Sequence, residues 1–344
     1  FHNVLCLSEA KGMDIKMKER KDVCLVIVTY NRAEYLYKLL MSIQKQTYPV
    51  KAIVLVDNHS EDHTFELLFD MGFTNKRETD QIVKHYWGNI QTYYYYNSTN
   101  SGGAGGFAHG INIAKTVSCD YVWVMDDDVL PNSMCLEKLC SNLNEYCYMC
   151  IPNRGDKNYD DFAIGKMNMT NPFLFRLNSC KQHIVNSKDI TENIIYVEDM
   201  AFEGPIFKKE LLDVIEGPDS NYFILYDDTD FAYRTSKITK IGFIKDAILH
   251  KQIIPNPQVN PWTWKSYYAI RNSVYFDRKF GQNFGVKEIR PLLRIIDMTI
   301  RSLLKLKIHR IKWIWKAYFD AVTNNMGKTV DPDEIVPEAK KRSI

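Results

Sequence analysis

An α/β fold built on a mostly parallel sheet follows from two features of the sequence. Short apolar, β-rich runs alternate with segments of helical spacing through residues 22–280. Each run also ends in polar or acidic residues, which puts one functional rim at the carboxyl ends of the strands. With 344 residues, 45% hydrophobic and 25% charged, the chain has the make-up of a folded protein with one large domain and an appendage, or of two domains.

VCLVIVTYN, residues 23–31, is a short buried strand with a polar end. A helix follows, its apolar face spaced at Leu36, Leu39, Leu40 and Ile43. KAIVLVDNHSED (51–62) is a second strand that terminates in Asp57, HTFELLFDMGF (63–73) a helix, and QTYYYYNS (91–98) a third strand. NSGGAGGFAHGINIAKT (100–116) is a glycine-rich turn opening into a helix, and YVWVM (121–125) a strand running into Asp126, Asp127 and Asp128. The second half is less regular: residues 162–188 read as extended segments and turns, and 201–218 as a short strand and a helix. An aromatic strand then leads into Asp227-Asp228-Thr229-Asp230 and a helix, and IGFIKDAILH (241–250) is a strand ending at His250.

Three consecutive carboxylates behind five apolar residues repel one another, so the rim calls for a cation, and a divalent metal suits it better than a merely solvated turn. Four strand ends converge there: Thr29-Tyr30-Asn31, Asp57-Asn58, Asn100 with the glycines, and Asp126–Asp128. That order suits a nucleotide. Tyr30 can stack on a base, Asp57 or Asn58 can bond its edge or the ribose, and the backbone amides of Gly102–Gly106 can face phosphate. The glycine run is neither a Walker loop nor a dinucleotide fingerprint. The Asp227–Asp230 cluster has a competing explanation, acids at a helix N-terminus, a role assigned to Asp230. His250 competes with a buried core histidine, and its strand-end position argues for the site.

Charge is unevenly spread. From Lys287 to Lys316 nine Lys and Arg face two acids, giving +7, and the chain's net +2 leaves −5 elsewhere. Apolar residues recur there at helical spacing from Ile289 to Tyr318, so the segment reads as one or two basic amphipathic helices suited to an anionic membrane surface, or else packed on the α/β domain. No motif for nucleic acid accompanies the charge. Eight scattered cysteines read as reduced, mostly buried thiols rather than a disulfide framework or zinc site, which favours a cytosolic compartment. Phe1–Arg20 lacks the apolar core of a secretory signal, and Met13 is taken as the natural start, with residues 1–21 set apart as an extension. No apolar run of about 18 residues suggests a membrane span.

These pieces together resemble the family-two nucleotide-sugar glycosyltransferases, inverting enzymes of GT-A fold. The matching segments are VIVTYNRAEYL, VLVDNHSEDHT, YVWVMDDDV, YDDTDFAYR and AILH, in family order over about residues 22–280. NSGGAGGF beside the Asp triplet, and YYAIRN at 267–272, are most similar to the galactofuranosyltransferase and rhamnosyltransferase branch. The resemblance implies that Tyr30, Asn31, Arg32 and Asn58 line the uridine or diphosphate pocket, with Asp57, Asn100, Gly102, Gly103 and Asp127 among the donor-binding residues. It implies that Asp126 and Asp128 engage the sugar nucleotide and the metal, Mn²⁺ or Mg²⁺, with Asp128 and His250 as direct ligands. Asp228 is implied as catalytic base and Asp227 as the group positioning hydroxyls. Pro205-Ile206 stands where that branch tends to carry paired tryptophans, and Ala269 where a histidine is expected, so acceptor and linkage are open.

The expected activity is metal-dependent, inverting transfer of galactofuranose from UDP-galactofuranose to a polyprenyl-diphosphate-linked bacterial glycan. It would run on the cytoplasmic face of the cell membrane, with a homo-oligomer possible. The alternatives are rhamnosyl transfer from dTDP-rhamnose and an inactive sugar-nucleotide-binding subunit. The expected domain limits are 22–280 for the catalytic unit and 281–344 for the basic helical region.

Overall fold

The computed structural model of the chain describes residues 20–254 and 262–335; most of the N-terminal extension lies outside them. The first half comprises β1 (Val23–Thr29), α1 (Ala33–Ile43), β2 (Ala52–Asp57), α2 (Thr64–Asp70), β3 (Ile82–Trp87), β4 (Ile90–Tyr96), α3 (Gly102–Thr116) and β5 (Tyr121–Asp126). The second comprises β6 (Val129–Pro131), α4 (Cys135–Asn142), β7 (Cys147–Asn153), β8 (Phe162–Met167), β9 (Lys181–Asn186), β10 (Ile194–Val197), β11 (Ile206–Lys208), α5 (Asp227–Ser236) and β12 (Lys240–Lys251). Three helices follow: α6 (Trp264–Phe280), α7 (Arg290–Leu304) and α8 (His309–Val322).

The central sheet runs β10-β12-β7-β11-β5-β1-β2-β4-β3, with β6 paired to β12. Strands β5, β1, β2 and β4 are mutually parallel, as are β7 and β12. Between these two blocks β11 is antiparallel to both neighbours. Every residue of β1 and of β2 is buried, because helices cover both faces: Leu25 and Ile27 pack into one core with α1, Val26 and Val28 into another with α3. The alternation of the pleat thus divides the apolar run between two cores.

The third strand is half of a hairpin. β3 pairs antiparallel with β4 at the sheet edge, turning through Gly88 at φ +60°. Its sequence, IVKHYW, buries only Val83 and Trp87, so the signal of a core strand is weak there. In α3 the glycines are packing devices. A Cβ on Gly106 would lie 2.6 Å from Val28, and one on Gly110 2.5 Å from Val26, so their absence lets the helix lie close on β1.

The basic C-terminal region is partly structural. Arg290 and Arg294 are buried and both bind Asp277 of α6, at 3.0 and 2.7 Å. Trp313, Ile314 and Ala317 of α8 join Tyr267, Tyr268 and Ile270 of α6 in a third core. Deleting the chain from Lys287 would strip α6 of both arginines that bind Asp277 and of the α8 residues that pack on it, so truncation would disturb the fold itself. The outward side of the same helices is apolar as well as basic: Ile300, Leu303, Leu304, Leu306 and Ile308 are each 49–84% exposed. Among the described residues no helix is long and apolar enough to cross a membrane. The seven described cysteines are free thiols, five of them buried.

Candidate active site

The strand ends of β1, β2 and β5 and the start of α3 border a cavity of about 530 Å³. Tyr30, Arg32, Asn58, Asn100, Gly102, Gly103, Asp126 and Asp127 line it, all of them expected from sequence. The opposite wall comes from residues that sequence reasoning missed: Phe223, Ile224, Trp264, Lys265, Lys328 and Pro332. Trp264 and Lys265 open the helix that carries YYAIRN, a hint that was available. Lys328 had no local signal, since it reaches the cavity only because residues 327–330 are pinned to α6. Arg271 donates to the Gly327 carbonyl at 2.7 Å and Tyr268 to that of Val330 at 2.8 Å.

The three acids of the triplet have separate surroundings. Asp127 is buried, accepting from the Thr29 hydroxyl at 2.7 Å and from Arg32 at 3.0 Å. Burial pushes it up to about 6 although Arg32 opposes the shift. Asp128 takes the other bond from the Arg32 guanidinium, at 2.9 Å. Asp126 accepts no hydrogen bond from any described residue; burial, Glu203, Asp128 and Asp127 push it well above the ordinary carboxylate range. A carboxylate raised by its own kind and without a donor is one that a cation would stabilise.

Asn58 organises the glycine turn. Its amide donates to Asn100 Oδ1 at 3.1 Å and to the Gly102 carbonyl at 2.9 Å, and its oxygen accepts from Ser101 N and Asn97 Nδ2. The expectation that the turn's amides await phosphate needs correction at two of them. Gly102 N donates to Asn100 Oδ1 at 2.8 Å and Ala104 N to the Phe223 carbonyl at 3.0 Å. Gly102 holds φ +73°, and a Cβ there would lie 2.0 Å from that carbonyl, so only glycine admits the loop that leads to Asp227. Asp57 and Asn31 are turned away from the cavity wall. Asp57 is fully buried, accepting from Ser60 N at 2.8 Å and Tyr94 Oη at 2.9 Å. Asn31 sits at φ +52° and accepts from Glu61 N at 2.7 Å. Both shape the loop after β2 instead of presenting polar groups to a ligand.

The second acidic cluster is held under strain. Phe223, Leu225 and Tyr226, just before α5, have φ of +64°, +65° and +75°, conformations that non-glycine residues adopt only when surroundings enforce them. Asn272 enforces them here. Its amide donates to the carbonyls of Tyr222, Ile224 and Leu225, and Arg271 adds a bond to Tyr222. The Arg-Asn pair of YYAIRN thus acquires a mechanical role. Asp227 is buried and raised by burial and by Asp228; Asp228 is pushed up to about 6 by burial and the Asp199 carboxylate, against Lys181. Asp230 accounts for the competing explanation of the cluster, since it is bound by Arg234, Lys279 and the Tyr222 hydroxyl.

Asp228 lines a second cavity of about 640 Å³ together with Arg154, Tyr159, Phe162, Lys181 and Asp199. Asp199 is buried, pairs with Lys181 at 2.5 Å through Oδ2, and leaves Oδ1 without a partner. A half-satisfied buried carboxylate beside a cavity is a place for a hydroxyl.

Asp128 lies in the turn between β5 and β6, and His250 on β12, which pairs with β6: His250 is opposite Leu130, and Gln252 N donates to the Asp128 carbonyl at 2.8 Å. His250 Nδ1 bonds Asp156 Oδ2 at 3.1 Å, an orienting carboxylate of the kind that accompanies metal-binding histidines, with Nε2 left for a ligand. No three His, Cys, Asp or Glu side chains among the described residues are close enough to hold a metal ion. Two protein ligands supplemented by phosphate oxygens would suit Mg²⁺ or Mn²⁺, which are commonly bound through one or two side chains plus substrate.

A largely parallel sheet with one antiparallel strand inserted, and carboxylates at the end of β5 and the start of α5, make up the fold of the GT-A glycosyltransferases. The profile of glycosyl transferase family 2 matches residues 24–201, and the chain belongs to that family. It is 25% identical over 224 residues to galactofuranosyltransferase GlfT1 of Mycolicibacterium smegmatis, covering 63% of this chain and 66% of that protein, just under two thirds of its length. Among solved structures, residues 1–349 of S. aureus TarS align with a TM-score of 0.51 at 15% identity, over 88% of this chain and 82% of theirs. The mannosyltransferase PcManGT of Pyrobaculum calidifontis, solved with GDP-Man and Mn²⁺, aligns with a TM-score of 0.51 at 14% identity, over 89% and 88%. At these identities the structural likeness speaks to the fold.

Proposed function

We propose that this glycosyltransferase moves galactofuranose, with inversion, from UDP-galactofuranose to a lipid-linked glycan, in a metal-dependent reaction. The observation that carries the reading is the junction of the two cavities. The loop whose Phe223 and Ile224 line the first runs directly into Asp227 and Asp228, and Asp228 faces the second. Donor on one side and acceptor on the other would meet at that carboxylate. The GlfT1 likeness favours galactofuranose, and solved neighbours bound to UDP-GlcNAc or GDP-Man favour a nucleotide-sugar donor.

In this mechanism Tyr30 stacks on the uracil and Asn58 and Asn100 hold the nucleoside side of the turn. Asp128 and His250 would hold the divalent ion, which when bound supplies Lewis-acid neutralisation of the diphosphate. Asp228 accepts the acceptor hydroxyl's proton as that oxygen bonds the anomeric carbon. The bond from carbon to phosphate oxygen breaks, and its electron pair leaves with UDP. A single displacement with one base inverts configuration. Proton NMR of the product should therefore show the anomeric configuration opposite to the donor's; retention would contradict the scheme.

The lipid-linked acceptor rests on the outward face of α7 and the turn into α8, where exposed Leu303, Leu304, Leu306 and Ile308 stand among basic residues. Because truncation removes structural arginines, the clean test is substitution. Replacing those four residues by serine should release the protein from anionic liposomes with its thermal midpoint preserved, and high salt should weaken binding of the wild type. Wild-type protein that ignores such liposomes at low salt would exclude a membrane role for this face.

A further inference from the structure

Three cations border the donor cavity, and two are already engaged. Arg32 is held by Asp127 and Asp128, and Lys328 pairs with Asp331 at 2.6 Å. Lys265 lines the same cavity. Among the described residues it has no carboxylate within ion-pair distance, and its ammonium lies 5.7 Å from the centroid of the Trp264 ring. The crowding of protein around it and the Arg32 guanidinium push Lys265 below the usual lysine range, while Asp126 and Asp128 pull it the other way. It therefore stands close to both charged groups of the rim without being neutralised by either.

Its place on the chain adds to this. Lys265 is in the first turn of α6, a helix of 17 residues whose N-cap Thr263 forms a capping box with Ser266 and whose first turn carries no acid. No acidic side chain of its own first turn balances the positive end of that helix. The cavity thus has unpaired positive charge on the α6 side and the Asp126 carboxylate, without a donor, on the β5 side. A ligand that is itself polyanionic but arrives with a cation satisfies both walls. A neutral sugar or a nucleoside alone satisfies neither.

We propose that Lys265 is a diphosphate-binding residue of this cavity, contacting the phosphate oxygens that gain charge as the glycosyl group departs. The proposal rests on reading the cavity as the donor site and names a residue that reading did not require. Lysine suits the task as a compact point charge, its ammonium adjusting as charge builds on the leaving group. Arg32 is less available, because releasing it would leave Asp127 buried without its guanidinium.

Calorimetric titration of the full chain with UDP and, separately, with uridine, in the presence of Mn²⁺, tests the assignment. Lys265→Ala should weaken UDP about ten- to a hundredfold, the range for one hydrogen bond to a charged group, and leave uridine within about twofold of wild type. Lys265→Arg should recover most of the UDP affinity. An equal loss for UDP and uridine would mean that Lys265 only shapes the wall, and no loss for UDP would remove it from the site; either result overturns the proposal. Wild-type protein that binds neither probe would overturn the donor-site reading itself, an outcome distinct from failure at Lys265 alone.

Discussion

Asp228→Asn should lower turnover by about 10²–10⁴, the contribution expected of a positioned general base, while UDP affinity stays within a few fold. The substitution keeps the shape of the side chain and its acceptance of the Thr229 amide, and removes only the capacity to take a proton. Because burial and Asp199 raise Asp228 to about 6, the base is protonated and idle below that pH and ionised above it. Wild-type turnover should accordingly rise as pH increases through about 6 and then level off; the residual rate of the asparagine variant should lack that step. A variant retaining more than about a tenth of wild-type turnover would remove Asp228 from this role. The strained loop should be intact in it, since Asn272 contacts backbone carbonyls, so a normal thermal midpoint would exclude misfolding.

Removing either proposed metal ligand should have the second large effect. Asp128→Ala and His250→Ala should each abolish most of the Mn²⁺-dependent gain in UDP affinity, and both should bind UDP like wild type when the ion is absent. In Asp128→Ala, Arg32 keeps its bond to Asp127, so the cavity wall is preserved. Asp156→Asn should give a smaller loss, on the order of tenfold, as expected when an orienting partner is weakened and the ligand remains. Metal-dependent affinity unchanged in both alanine variants would place the ion elsewhere. A loss equal with and without Mn²⁺ would indicate damage to the pocket.

The parallel core was legible because β1, β2 and β5 are buried on both faces and so read as continuous apolar runs, each stopping where the polar rim begins. The hairpin strand β3 was not legible, since an edge strand burying two residues leaves little periodic signal. Tyr30, Asn58, Asn100 and Asp126 could be placed on the cavity wall because strand ends converge by topology, and Arg32 through the family resemblance. Asp57 and Asn31 stand at the same strand ends yet serve neighbouring loop amides. A side chain's direction at a turn depends on backbone angles that residue type alone leaves free. Lys265, Lys328, Asp156 and Asp199 went unseen for another reason, and the YYAIRN motif did not disclose the mechanical role of its Asn272. Each reaches the rim through contacts far apart in sequence, as when Tyr268 and Arg271 fix residues 327–330 beside the donor cavity. The basic helices divided in a way that spacing could not foresee, Arg290 and Arg294 turning inward onto Asp277 while Leu304 and Leu306 turn outward.

The central claim, a furanose donor carried by UDP, is tested most directly by a panel of sugar nucleotides assayed for transfer and slow hydrolysis with Mn²⁺. The residues lining the two cavities suit a nucleotide on one side and a hydroxyl on the other; the sugar rests on the NSGGAGGF turn and the GlfT1 likeness. Uracil and thymine differ by one methyl group, worth only ~1–3 kcal/mol of discrimination, so the panel must vary sugar and base independently. The expected result is Mn²⁺-stimulated turnover of UDP-galactofuranose with little on UDP-galactopyranose. A clear preference for dTDP-rhamnose would contradict the donor assignment, and absence of both turnover and binding across the panel would contradict catalysis itself.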